Sequence, residues 1–274
     1  MKYQLEYEQN GFTIVKGLFS PDEVATLRDH YMAINAAGPK FTEGNYDKSS
    51  TDPLCQYPRL MQPHRDDAKS MEFLLDHRIK EVYEELLGEA PFAVQTMVYF
   101  KPAGARGQAL HQDQRYLRVH PGSCTAAWMA LDKCDAENGC MQVVPGSHKF
   151  DVLCPIKSDT SRSFTSETVP IPEGFEVVDV VMEPGDVLFF HGNLIHGSEP
   201  NRSTDRFRRI VVGHYVHAAA DQVGQWYNPA YRFDGTSLDI PFAEGSTPCG
   251  TFVDAPDGHR LEMSGTVEAA LAAH

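Results

Sequence analysis

Apolar positions recur at helical spacing in the first third of the chain and collapse into short β-type runs after Gly88. Tyr7 to Val15 reads as a short helix or turn entering a strand, Gly11-Phe12-Thr13-Ile14-Val15. Ser20-Pro21-Asp22-Glu23 is a helix start, in which Ser20 can cap, Pro21 suits the first helical position and Glu23 can complete a capping box. Val24, Leu27, Tyr31 and Ile34 then fall on one stripe. A second helix is predicted from about Asp76 to Leu87, with Ile79, Val82 and Leu86 on one face and Gly88 as the stop. Between the two helices, Ala36 to Gln62 is rich in Gly, Pro, Asp and Ser, and reads as an irregular segment of the kind that forms lids or binding loops.

The β runs are Phe92–Phe100, Ala109–Leu117, Thr125–Leu131, Cys140–Val144, Glu176–Met182, Val187–His191 and Phe207–Val216. Asn138-Gly139 and Pro184-Gly185-Asp186 supply turn chemistry between them. Helices first and many short strands later predict a mainly β fold, a sandwich or barrel buttressed by N-terminal α-helices. One domain is expected over 1–274, with a helical part and lid segment in 1–90, a β core in 91–217 and a C-terminal extension in 218–274. No repeat or low-complexity segment interrupts it, and the tail after about Thr247 carries no readable pattern.

Composition narrows the function classes. The 274 residues are 42% hydrophobic and 23% charged, ordinary for a globular protein. A formal net charge of −14 with scattered acidic residues argues against a nucleic-acid binder, which shows a basic face. No apolar run reaches the length of a membrane span, and the N-terminus lacks a signal-peptide apolar core, so a cytoplasmic protein is expected. The six cysteines (Cys55, Cys124, Cys134, Cys140, Cys154, Cys249) include no C-x-x-C pair. They are expected mostly as buried free thiols, with neither a zinc site nor a disulfide framework.

The candidate chemistry lies in His111-Gln112-Asp113 and in His196, which follows the run Pro184-Gly185-Asp186-Val187-Leu188-Phe189-Phe190-His191. In a strand, side chains two apart share a face, so His111 and Asp113 would point inward together while Gln112 faces away. His196 would reach the same point from a neighbouring strand. Two imidazoles and one carboxylate are the facial ligand set of non-haem Fe(II), with positions left open for an oxo acid and oxygen. A His-x-Asp tripeptide alone would say little.

The surrounding phrases say more. Gln95-Thr96-Met97-Val98-Tyr99-Phe100-Lys101-Pro102, Leu110-His111-Gln112-Asp113-Gln114, Trp128-Met129-Ala130-Leu131-Asp132, Glu137-Asn138-Gly139-Cys140-Met141, Val144-Pro145-Gly146-Ser147-His148 and Ile195-His196-Gly197-Ser198 occur in that order. With them, the chain from about Asn10 to Val216 resembles the phytanoyl-CoA dioxygenase family of Fe(II)/2-oxoglutarate oxygenases. The resemblance implies a double-stranded β-helix (jelly-roll) core, with 2-oxoglutarate chelating the iron, O2 as co-reactant and a small-molecule substrate. It implies an arginine for the far carboxylate of 2-oxoglutarate. The candidates are Arg206, Arg208 and Arg209, and the phrase Phe207-Arg208-Arg209-Ile210-Val211-Val212-Gly213-His214 fits best at Arg208, since a planar guanidinium pairs a carboxylate bidentately. Ser198 is placed to donate to the same carboxylate, Met97 and Trp128 match pocket-lining positions, and Arg59 is the candidate for an upstream basic residue. Gln95 shares a strand face with Met97 and could present an amide to cosubstrate or substrate.

Related halogenases lack the carboxylate ligand, so Asp113 implies hydroxylation or another oxidation. The segment from Gln112 to Arg118 does not match the signature of the ectoine hydroxylase branch. His148 and His191 read as packing residues, and His214-x-x-His217 as structural. Arg106, Arg115 and Arg118 read either as contacts to an anionic substrate or as solvated charges, and Gln62, His64 and Trp226 as candidates for the mouth of the site. The acidic balance favours a neutral or cationic metabolite over a CoA ester. Two rival readings stand beside the oxygenase: a non-oxidative jelly-roll metalloenzyme, such as an isomerase or hydrolase, and a catalytically silent binding protein.

Overall fold

Residues 2–255 and 258–273 are described in the computed structural model. The first helix, Lys2–Asn10, leads into the strand Phe12–Val15. Ser20 caps the helix Pro21–Ala37 with both halves of the capping box made. Asp76 caps His77–Leu87, and Gly88 ends it at φ 81°, a left-handed conformation that glycine adopts without a Cβ penalty.

Two antiparallel sheets form the β core. In the larger, the order is Phe12–Val15, Val187–His191, Cys124–Ala130, Arg208–Val216, Phe92–Lys101, Ala230–Tyr231 and Ser237–Leu238. In the smaller it is Val178–Val180, Met141–Val143, His196–Ser198 and Gln108–His111. Alternation splits the large sheet's side chains between two cores. Met97, Trp128, Leu188, Phe190 and Val212 pack toward the small sheet, among Met141, Val143 and Val180. Val98, Ala127, Met129, Phe189, Val211 and Tyr215 pack outward against Tyr7, Val24, Tyr31, Ile79, Tyr83 and Leu86 of the helices. A strand buried on both faces reads as a continuous apolar run rather than an alternation, as Val187-Leu188-Phe189-Phe190 does. The expected jelly roll buttressed by N-terminal helices is the observed architecture.

Four expectations need correction. The run Ala109–Leu117 is not one strand: Gln108–His111 is a strand, Asp113 turns to helical dihedrals (φ −65°, ψ −31°) and Gln114–Leu117 is a helical turn. The segment Ala36–Gln62 is only partly irregular, because Arg59–Met61 pairs along Phe92–Lys101 and Thr42–Glu43 pairs with Arg59–Met61. The tail carries a hairpin, Pro248–Ala255 with Gly258–Thr266, followed by the helix Val267–Ala272. Cys154 and Cys249 form a disulfide that ties this hairpin to the segment after the metal turn, leaving Cys124, Cys134 and Cys140 as buried thiols and Cys55 half-buried.

Gly107 marks the closest approach in the small sheet. A Cβ there would lie 1.9 Å from the Ser198 carbonyl oxygen, and the backbone of Gly107 is already tied to Arg162 and Phe164. Gly107→Ala is therefore expected to lower stability by about 1–3 kcal/mol, the usual range for overpacking. Urea denaturation checks this, and an unchanged midpoint would contradict the close approach.

Candidate active site

Strand register brings the two histidines together. His196 and His111 are direct partners across the small sheet, with ring centroids 4.2 Å apart. Each ring lies with Nδ1 2.9 Å from a carbonyl oxygen two residues upstream, Ala109 O for His111 and Leu194 O for His196. A carbonyl only accepts, so each Nδ1 carries the proton and each Nε2 is turned toward the site, where His111 Nε2 meets the Gln108 side-chain amide nitrogen at 3.1 Å. Burial, and then the neighbouring His111, push His196 down to about 4, which keeps it neutral near pH 7.

Asp113 completes the group from the turn. Its Oδ1 lies 3.5 Å from His111 Nε2 and its Oδ2 3.7 Å from His196 Nε2, and one ligand atom from each residue lies within 4.8 Å of the others. Burial alone would raise this carboxyl, but His196, His111 and His214 around it hold it well below the usual carboxylate range. Two neutral imidazoles and a buried carboxylate, all aimed at one point, fit a divalent metal ion of the non-haem iron type. His214 is a correction to its structural reading. From the opposite sheet its Nε2 lies 3.2 Å from Asp113 Oδ2, so it touches the site directly. Gln112 faces away as expected, and its amide is held by Asp151 O, Asn193 O and Leu153 N.

Beside the triad lies a cavity of about 210 Å³. Arg208 is buried against Trp128, its Cζ 5.6 Å from the ring centroid, and Nε donates to Gly139 O. Among the described residues no carboxylate lies within ion-pair distance of it. The two neighbouring arginines are spoken for: Arg206 pairs with Asp135 and Glu137, and Arg209 with Asp132. Lys101 is buried beside Arg208 and also has no carboxylate partner among the described residues. Burial lowers both, and for Lys101 the neighbouring Arg208 adds to it. Two buried cations side by side without a carboxylate partner are costly unless an anion joins them.

The other sequence-predicted residues separate into cavity and periphery. Gln95, Met97, Trp128, Ser198 and Arg59 all line the cavity. Arg59 stands at its mouth rather than free, paired with Glu43 at 2.6 Å and stacked on Phe164. Arg106 pairs with Asp52, Arg115 with Glu167, and Arg118 donates to the carbonyls of Glu244 and Gly245. His64 is buried with Nδ1 at Thr96, Gln62 donates to Trp226 O, and the Trp226 ring lies at the surface. These last three do not line the cavity. Lys101, His214, Tyr99, Gln108, Tyr116 and Phe164 do, and none was singled out from the sequence for the site. For Lys101 and Tyr99 the signal was present, since Gln95, Met97, Tyr99 and Lys101 alternate along one strand face.

A jelly roll that presents two histidines and a carboxylate to a cavity backed by an unpaired arginine defines the class of non-haem iron oxygenases. The chain belongs to the phytanoyl-CoA dioxygenase (PhyH) family, whose model matches residues 7–210. It is 28% identical over 230 residues to the peroxisomal phytanoyl-CoA dioxygenase of Bos taurus, covering 77% of this chain and 67% of that protein. It is 27% identical over 229 residues to a probable alpha-ketoglutarate-dependent hypophosphite dioxygenase of Stutzerimonas stutzeri, covering 80% and 78%. Among solved structures, the alpha-ketoglutarate-dependent epimerase SnoN of nogalamycin biosynthesis superposes with a TM-score of 0.65 at 22% identity, over 80% of this chain and 83% of that one. EvdO2 of Micromonospora carbonacea var. aurantiaca, complexed with 2-oxoglutarate, gives 0.61 at 22%, over 79% and 90%. The family uses iron, 2-oxoglutarate and O2. Among the described residues no helix is long and apolar enough to cross a membrane.

Proposed function

We propose that this dioxygenase hydroxylates a small, uncharged metabolite, with His111, Asp113 and His196 as iron ligands and Arg208 as the anchor for the far carboxylate of 2-oxoglutarate. One observation carries the reading: three converging ligand atoms share a cavity with a buried guanidinium that has no carboxylate partner among the described residues. Iron with 2-oxoglutarate and oxygen supplies the oxidising chemistry, and the oxo acid leaves as succinate and carbon dioxide.

The protein's own part is positional. Ala109 and Leu194 hold the imidazole protons away from the metal side. Asp113 fills the third ligand position, which leaves no place there for a halide and favours hydroxylation over halogenation. His214 engages the second oxygen of Asp113 and so restrains how that carboxylate faces the site. Arg208 and Ser198 receive the far carboxylate, while Trp128 and Met97 wall it from water. Gln95 offers its amide within the same cavity.

At the mouth, Arg59 and Arg106 are neutralised by Glu43 and Asp52. With both mouth arginines paired, and no other cation there unpaired among the described residues, the site supports a neutral substrate over a CoA ester. The unpaired Arg208 counts against a non-oxidative metalloenzyme, and the complete triad against a silent binding protein. The Cys154–Cys249 bond counts against the cytoplasmic setting expected from the sequence, since disulfides are rare in reducing compartments.

Anaerobic protein loaded with Fe(II) is expected to develop a visible charge-transfer band on addition of 2-oxoglutarate. On exposure to air it should then release succinate, faster with its substrate, and a chelator should remove both signals. Iron-loaded protein that gives neither a band nor succinate sinks the reading.

A further inference from the structure

We propose that Lys101 is a positioning residue that turns Ser198 into an obligate hydrogen-bond donor toward the far carboxylate of 2-oxoglutarate. The proposal rests on the cosubstrate reading given above and adds a residue that acts from behind the anion site.

Lys101 Nζ has three acceptors: Ser198 Oγ at 2.7 Å, Glu199 O at 2.7 Å and Gly139 O at 3.0 Å. An ammonium group has three N–H donors and no lone pair, so the three contacts saturate it. A neutral amine would instead accept from the Ser198 hydroxyl, so this role requires the ammonium form, which an anion bound beside Arg208 favours against the burial and the Arg208 charge that oppose it. Saturation also means that Lys101 does not itself reach the anion. It acts through the groups that it holds.

Ser198 is the decisive one. A hydroxyl oxygen has two lone pairs and one proton. One lone pair accepts from Lys101 Nζ, and the other from the backbone N–H of Gln108 at 3.3 Å. Both acceptor sites are filled, so the hydroxyl can only donate. Among the described residues it has no acceptor, and Ser198 lines the cavity beside Arg208. Gly139 O is shared in the same way by Lys101 Nζ and Arg208 Nε. This contact fixes the guanidinium by its inner nitrogen and leaves its two outer nitrogens for the ligand. Lys101 thereby couples the two donors of the anion cradle and adds a buried positive charge behind them. The Phe92–Lys101 strand carries it on the face shared by Gln95, Met97 and Tyr99, which line the same cavity.

The experiment compares two oxo acids on iron-loaded protein by titration of the visible band. 2-Oxoglutarate carries the far carboxylate, and 2-oxobutyrate carries the same chelating head without it. Lys101→Met is expected to weaken 2-oxoglutarate roughly ten- to a hundredfold, the usual range for losing hydrogen bonds to a charged group. Its binding of 2-oxobutyrate should be unchanged. Because Lys101 acts through Ser198, Lys101→Met and Ser198→Ala together should weaken 2-oxoglutarate by less than the product of their separate factors. Equal weakening of both oxo acids, or factors that multiply, overturns the proposal. If Lys101→Met does not fold, Lys101→Gln makes the same comparison, with a smaller selective loss expected and an equal loss overturning it. Failure of wild-type iron-loaded protein to bind 2-oxoglutarate would instead strike the cosubstrate reading itself, whatever the variants do.

Discussion

His196→Ala should abolish iron retention while leaving the fold in place. The residue sits at the centre of the small sheet, paired with His111 on one side and Val143 on the other. Its backbone contribution to that sheet survives the substitution, because alanine keeps the N–H and C=O. What disappears is an imidazole whose lone pair is pre-aimed by Leu194 O. Disturbing the outer partner of a metal ligand lowers affinity about 10–100-fold, so losing the ligand itself should exceed that range. Iron content after gel filtration should fall to background, succinate release should stop, and the circular dichroism spectrum should match the wild type. Stoichiometric iron with full turnover would remove His196 from the ligand set.

Arg208→Met should separate cosubstrate affinity from stability. Removing one member of a buried charge pair costs about 2–5 kcal/mol of binding, which is roughly a thirtyfold to several-thousandfold loss. The KM for 2-oxoglutarate should rise accordingly. Without the oxo acid, however, Arg208 is a buried cation that has no carboxylate partner among the described residues and lies beside a second cation, Lys101. Methionine keeps the apolar contact with Trp128 and removes the charge, so the ligand-free melting temperature should hold or rise. Arg206→Met and Arg209→Met give the contrast. Both remove ion pairs outside the cavity, with Asp135 and Asp132, and should leave the KM unchanged. A raised KM in either, with Arg208→Met silent, would move the anchor.

Much of this site is legible in the sequence, though partly for the wrong reason. His111 and Asp113 were placed on one strand face by a two-residue period, yet the strand ends at His111 and Asp113 belongs to a turn. The side chains still converge because a turn can also return a side chain to the same point. Among Arg206, Arg208 and Arg209 the sequence phrase favours Arg208, but sequence does not reveal that its two neighbours are paired with outer carboxylates. His214 reads as structural in sequence, and its partner, Asp113, comes from the turn after the facing strand. Lys101 shares a strand face with Gln95 and Met97, but sequence does not show the three acceptors that converge on its ammonium group. The link between Cys154 and Cys249 is invisible by the same logic, since spacing carries no connectivity.

The turn at Asp113 has a consequence for how such an enzyme can change. The two histidines are brought together by strand pairing, so their positions relative to each other depend on the register of the small sheet. Asp113 stands outside that ladder, and Gln114 N is held by Gly192 O whatever side chain precedes it. The carboxylate is thus the ligand that mutation can most easily delete while the scaffold and the histidine pair persist. On the proposed hydroxylase reading, the residue that keeps a halide from the metal is also the one whose side chain the strand ladder constrains least. New chemistry can therefore evolve at position 113 without a new fold.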